Sequence, residues 1–169
     1  MKVLKFGGTS LADAQRMKNV AAIVGGLIGQ GNGSASKVIV VLSAIAGTTD
    51  SLVKIVENTK HNEKSNSEKL IKLLLNHYKK YISELYIEQA TSEFALAYVQ
   101  SQFDNILEAI EQRFVPALEF NILAKGELIS TKLFQLLLEE KKLESELLCS
   151  LDFLRLGQNG TPDTSFLES

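Results

Sequence analysis

Three short loops hold the residues best able to do chemistry. The first is Lys5-Phe6-Gly7-Gly8-Thr9-Ser10. Paired glycines let a backbone turn closely around a bound group. A helix beginning just after them points free N–H groups and its positive dipole end into the same space. Lys5, at the end of the preceding apolar run, adds a full positive charge. Donors and a cation placed where negative charge spreads are what a transferring phosphoryl group needs. The lysine precedes the glycines, so this is not a Walker A loop. The same residues also fit a tight βα turn with a solvent-exposed lysine, and spacing alone leaves both readings open.

The second loop is Ser43-Ala44-Ile45-Ala46-Gly47-Thr48-Thr49-Asp50. Its small side chains leave room for a ligand, and the hydroxyls of Ser43 and Thr49 can bond a carboxylate or phosphate oxygen. Thr49 or Asp50 can instead cap the next helix, and for Asp50 that is the expected role. The third is Gly126-Glu127. A carboxylate in the first turn of a helix can be a dipole partner, or a fixed charge that receives a substrate ammonium group. The residues do not separate these two readings.

The elements around the loops must bring them together. Val3 to Phe6 reads as a strand stopped by Gly7-Gly8. Thr9 or Ser10 can cap the helix that follows, with Asp13 near a capping-box position. Leu11, Ala14, Met17, Ala21, Val24 and Ile28 give that helix one buried face. Gly29 to Ser36 is a polar loop. Lys37 to Ser43 is β-branched and apolar on both faces, which suits a central parallel strand covered by helices on both sides. Strand, helix and strand then make a βαβ unit. In open α/β sheets ligands bind outside the carboxyl ends of the strands, where these loops converge.

Lys60 to Ser67 reads as a polar linker. Two helical patterns follow, one through Leu70, Leu74, His77 or Tyr78, Tyr81 and Leu85, the other through Leu96, Val99, Phe103, Ile106, Ile110 and Phe114. They predict a helical hairpin with its turn near Gln89 to Ser92. Pro116 interrupts the pattern, and Gly126-Glu127 precedes a helix carrying Ile129, Leu133, Leu136 and Leu137. Leu147 to Leu154 reads as a strand returning to the sheet, ahead of a Gly/Asn/Pro-rich tail from Gly157. The expected organisation is an α/β core at 1–59 and 125–169, interrupted by a helical hairpin subdomain at 60–124.

Bulk properties bound the function. The chain has 169 residues, 45% hydrophobic and 22% charged, the composition of a soluble globular domain. A net charge of −2 supplies no basic field for nucleic acid. The N-terminus reaches its glycines too soon for a signal peptide, and no apolar run is long enough to span a bilayer, so the expected location is cytoplasmic. Cys149 is the one cysteine, expected to be a buried inert thiol. His61 and His77 have no partner at ligand spacing, so no protein metal cage is expected. Tyr78, Tyr81 and Tyr86 read as core or interface residues rather than a stacking platform.

KFGGTS at 5–10, VLSAIAGTTD at 41–50 and GELIS at 126–130 resemble aspartate kinases in content, order and approximate spacing. Glutamate 5-kinase, acetylglutamate kinase and UMP kinase, of the wider amino-acid kinase superfamily, open with a similar strand–Lys–Gly arrangement but not with KFGGTS. The resemblance covers nearly the whole chain. It implies a three-layer α/β/α amino-acid kinase fold, incomplete here, with the helical insert. The implied reaction is transfer of the ATP γ-phosphoryl group, with Mg2+, to the side-chain carboxylate of L-aspartate. That is a step toward lysine, threonine and methionine. Carried over residue by residue, it implies that Lys5 contacts the ATP phosphates and stabilises the transferring group. Gly7, Gly8 and Ser10 would lie around those phosphates, Ser43 and Thr49 would line the aspartate site, and Glu127 would hold the substrate amino group.

The family's later GRGGSD-type segment, which supplies an Arg and a Ser for the substrate and an Asp near the phosphoryl group, is not among these residues. The expectation is therefore a truncated chain that does not turn over alone, from a parent that would be a homo-oligomer. Many family members are fused to homoserine dehydrogenase, and nothing in the residues decides that. Two rivals stay open: another carboxylate kinase of the superfamily, and a non-catalytic binding or assembly fragment.

Overall fold

A computed structural model describes residues 1–29, 37–112, 114–149 and 152. The element order is β1 (Lys2–Phe6), a 3-10 turn (Gly8–Leu11), α1 (Ala14–Gly29), β2 (Val38–Leu42), α2 (Thr48–Lys60), α3 (Lys64–Leu85), α4 (Gln89–Glu111), α5 (Pro116–Leu123) and α6 (Lys125–Glu140). The two strands pair in parallel, from Lys2 opposite Val38 to Phe6 opposite Leu42. A parallel pair needs a crossover, and α1 makes it.

Alternation along the strands divides their side chains. Leu4, Phe6, Val40 and Leu42 join the core, where α1 and α6 meet β2. Val3, Ile39 and Val41 are exposed. The apolar-on-both-faces pattern predicted helices on both sides of the sheet. Among the described residues every helix contributes to the one core, so the second face has no cover.

Several boundaries differ from the sequence reading. Neither Thr9 nor Ser10 caps α1. The chain first makes the 3-10 turn, which sends Leu11 into the core, and Asp13 then supplies the cap by accepting the Arg16 N–H at 2.8 Å. The polar linker shrinks to His61–Glu63, because α3 already begins at Lys64. Its Ser67 is fully buried, donating to the Ile55 carbonyl at 3.1 Å and lying 3.1 Å from the Thr59 hydroxyl. Polar composition misled there because the hydroxyls are satisfied inside the protein.

The helical hairpin is present as α3 and α4, but its turn is Tyr86–Glu88, before the predicted Gln89 to Ser92. Glu140 fixes that turn, accepting the N–H groups of Ile87 at 3.0 Å and Glu88 at 2.8 Å. Pro116 starts α5 at a position where its missing N–H costs nothing. Residues 147–149 form no strand, and Cys149 is half-exposed rather than buried. The rest of that predicted strand, apart from Asp152, the tail from Gly157, and residues 30–36 of the first predicted loop lie outside the described residues. Among the described residues no helix is long and apolar enough to cross a membrane.

Three tyrosines, two in the second half of α3 and one just after it, tie the helices together. Tyr78 bonds Thr48 of α2, Tyr81 lies 3.0 Å from the Leu11 carbonyl, and Tyr86 donates to the Leu133 carbonyl of α6 at 2.7 Å. All three are buried, which puts them in the core, one of the two roles the sequence reading allowed.

Candidate active site

The loop after β2 is the crossing point of the molecule. Its Ser43 N–H donates to the Phe6 carbonyl at 3.1 Å, which holds the ends of the two strands side by side. A Cβ on Gly8 would lie 3.0 Å from the Ala44 carbonyl oxygen, so the 3-10 turn can approach this closely only because position 8 is glycine. From the other side, a Cβ on Gly126 would lie 2.8 Å from the Cβ of Ala44 and 3.2 Å from the Thr48 methyl. Gly47 has a φ of 81°, the left-handed backbone that glycine adopts without strain. Gly7 differs: nothing lies within 4 Å of its virtual Cβ.

Glu127, in the first turn of α6, reaches back to this loop. Its Oε1 accepts the Ala44 N–H across a long 3.4 Å, and among the described residues no donor is bonded to Oε2. One turn further, the buried Ser130 hydroxyl donates to the Ser43 carbonyl at 2.7 Å. Gly8, Ser43, Thr49, Asp50 and Glu127 all line one open cleft of about 360 Å³ beyond the strand ends. Four of these were predicted as site residues, on three separate loops, and the fold brings them together.

Lys5, Gly7 and Ser10 are not in that lining. Lys5, one residue before the end of β1, is in register with Val41, its side chain on the exposed sheet face, and it makes no ion pair among the described residues. Ser10 sits in the 3-10 turn, its N–H bonded to the Gly7 carbonyl at 2.9 Å. Asp50 was expected to cap α2. Gly47 takes the cap position instead, and Asp50 lies in the first helical turn, facing the cleft.

The cleft carries two carboxylates and no lysine or arginine, so its own charge favours a cationic group on the ligand. Behind its wall, burial pushes the Tyr78 phenol above its ordinary range, the bond to Thr48 pulls the other way, and the Glu127 charge adds to the upward push. Lys125, beside Gly126, is held below its usual ammonium range by desolvation and donates to Gln102 at 2.8 Å. A hollow of about 430 Å³ elsewhere is lined by Glu88, Phe94, Lys132 and Glu140, away from the strand ends. Among the described residues no three His, Cys, Asp or Glu side chains cluster to hold a metal.

Ser130, Thr48 and Tyr78 were not singled out for the site by the sequence reading. Ser130 follows Glu127 by three residues, on the same face of one helix, and that spacing could have pointed to it. Nothing in the sequence joined Tyr78 to Thr48, thirty positions apart.

The model of the amino acid kinase family matches residues 1–166. Lysine-sensitive aspartokinase 3 of Escherichia coli (strain K12) is 33% identical over 147 residues, which is 85% of this chain and 30% of that protein. A bifunctional aspartokinase/homoserine dehydrogenase of Buchnera aphidicola is 48% identical over 62 residues, 37% of this chain and 7% of that protein. The crystal structure of E. coli aspartokinase III in complex with aspartate and ADP superimposes with a TM-score of 0.79 at 26% identity, covering 99% of this chain and 36% of that one. The chain thus spans about a third or less of the length of these relatives.

Proposed function

Because this chain belongs to the amino acid kinase family and has its fold in incomplete form, we propose that it is the acceptor-side part of an aspartate kinase. The observation that carries this reading is the cleft shared by Glu127, Ser43, Thr49 and Gly8 at the carboxyl ends of the two parallel strands.

The reaction on this reading is attack by a side-chain carboxylate oxygen of L-aspartate on the γ-phosphorus of ATP. A new O–P bond forms, the bond to the β-phosphate oxygen breaks, and 4-phospho-L-aspartate and ADP result. An aspartate side chain is already ionised at neutral pH, so no general base is needed, and positioning dominates. The Glu127 carboxylate binds the substrate ammonium group. The hydroxyls of Ser43 and Thr49 donate to its carboxylate oxygens. Lys5, next to the last residue of β1 and in no ion pair among the described residues, offers its charge to the phosphates, and Gly7, Gly8 and Ser10 form the turn beside it. The donor set of the cleft fits an amino acid better than a metal ion, so Mg2+ would enter with the phosphates of ATP, and no step here depends on it.

On the same reading residues 1–59 and 125–169 belong to the α/β core, and 60–124 form the inserted helical hairpin subdomain. The parent would be a cytoplasmic homo-oligomer on the route to lysine, threonine and methionine, with no nucleic-acid or membrane partner.

The test is calorimetric titration of the chain with L-aspartate, L-glutamate, N-acetylglutamate and ATP, with and without Glu127→Gln. The expected result is selective aspartate binding, weakened at least tenfold by Glu127→Gln. N-acetylglutamate lacks the ammonium group, so any binding of it that is insensitive to the substitution would support the ammonium role. Tighter binding of glutamate or N-acetylglutamate than of aspartate would favour another carboxylate kinase. A chain that binds neither aspartate nor nucleotide would favour an assembly role.

A further inference from the structure

We propose that Tyr78 and Thr48 form a positioning pair that holds the Ser43–Thr49 loop in its cleft-lining shape. Both residues are buried, with 0% and 1% exposure, and their hydroxyls share a hydrogen bond of 3.0 Å. Tyr78 comes from the middle of α3, and Thr48 is the first residue of α2. The bond therefore fastens the end of the cleft loop to the helical hairpin.

At this end the loop is otherwise held by backbone turns and by Ser51, whose N–H and hydroxyl donate to the Gly47 carbonyl at 3.2 and 2.8 Å. Its cap residue, Gly47, makes no side-chain cap bond and has a backbone free to adopt other shapes. What closes the turn is the Thr48 N–H bonded to the Ile45 carbonyl at 3.0 Å. The Thr48 methyl would be 3.2 Å from a Cβ on Gly126, so the side chain is seated against α6 on one side and tied to Tyr78 on another. With Thr48 turned inward, its neighbours Thr49 and Asp50 face the cleft. A rotation of this turn would move both, and Ala44 with its link to Glu127.

Proton accounting supports a shaped role over simple packing. Two hydroxyls bring two donors, and one bond between them uses only one. A phenylalanine at position 78 would fill the same space without that obligation. The aromatic contact with Phe103, at 5.7 Å between ring centroids, would survive the change.

The inference rests on the aspartate-kinase reading only for the identity of the ligand, so the primary measurement needs no ligand. Residue-resolved amide hydrogen exchange is compared for the wild-type chain, Tyr78→Phe and Tyr86→Phe. Tyr86 is an equally apt control, since its buried hydroxyl bonds Leu133 away from the loop. Tyr78→Phe is expected to speed exchange at the Ala44, Thr48 and Ser51 amides at least tenfold beyond the change in α1, and Tyr86→Phe is not. If Tyr78→Phe fails to fold, Thr48→Val removes the same bond from the other side and gives the same readout. Exchange that changes uniformly across the chain, or not at all in the loop, would overturn the proposal. Aspartate titration of the same variants separates the two readings. No binding by the wild type counts against the kinase reading and leaves exchange to decide this one. Binding weakened at least fivefold by Tyr78→Phe but not by Tyr86→Phe supports both.

Discussion

Gly126 and Ala44 meet so closely that a Cβ built on the glycine would lie 2.8 Å from the alanine Cβ. This contact sets how near α6, with Glu127, comes to the loop after β2. Gly126→Ala is expected to destabilise the chain. Overpacking costs about 1–3 kcal/mol, and the better helix propensity of alanine returns up to about 1 kcal/mol of that. Adding Ala44→Gly should recover part of the loss. Urea unfolding of the two single variants and the double variant checks this through their coupling energy, which should be favourable.

Ser130 fastens the same loop one turn along α6. Ser130→Ala leaves the half-buried Ser43 carbonyl without this 2.7 Å donor, a loss of about 1 kcal/mol. Urea midpoints should fall accordingly, and the Ser43 and Ala44 amide resonances should shift more than any others. A stability change below about 0.5 kcal/mol would mean that water replaces the hydroxyl without penalty.

Much of this site was legible because local chemistry announces itself. Gly8, Ser43, Thr49 and Glu127 each stand beside a turn or helix start that composition marks, and the strand–helix–strand order predicts that such ends converge. What was illegible depends on distant partners. Ser67 looks like linker until Ile55 and Thr59 receive its hydroxyl, and the end of α3 is settled by Glu140, more than fifty residues on. Asp13 and Asp50 fit the same sequence rule for caps. A 3-10 turn that buries Leu11 makes Asp13 a cap, and a left-handed Gly47 takes that place from Asp50. Leu147 to Cys149 has strand composition, but propensity without a paired neighbour among the described residues makes no strand there.

The sheet face that no helix covers among the described residues predicts self-association. Val3, Ile39 and Val41 expose 61%, 38% and 45% of their surface side by side on a two-stranded sheet. An exposed apolar face on paired strands invites another copy. Ile39→Thr with Val41→Thr keeps the β-branched shape the strand prefers while making the face polar. Sedimentation velocity over a concentration series should show weaker association for the double variant. Its unfolding free energy should stay within about 0.5 kcal/mol per site, because neither side chain leaves a packed core. Association unchanged by the pair would locate the contact elsewhere.

Alkaline pH should unfold this chain through its buried tyrosines. Burial is the largest cause raising the phenols of Tyr78, Tyr81 and Tyr86, and nearby carboxylates of Glu127, Asp13 and Glu140 push each of them further the same way. Unfolded, each would titrate near its ordinary value of 10.0. A raised folded value means the native state keeps protons that the unfolded state releases. The stabilisation is complete below about pH 10 and is lost as pH climbs toward the folded values. Above pH 10 each such tyrosine lowers stability by about 1.4 kcal/mol per pH unit, or about 4 kcal/mol per unit for the three together. Urea midpoints measured from pH 8 to 11 should be nearly flat for this group and then fall steeply. Tyr86→Phe should flatten the steep limb while lowering the plateau, since the Leu133 carbonyl loses its donor. An unchanged slope in that variant would show that Tyr86 reaches solvent and ionises in the folded chain.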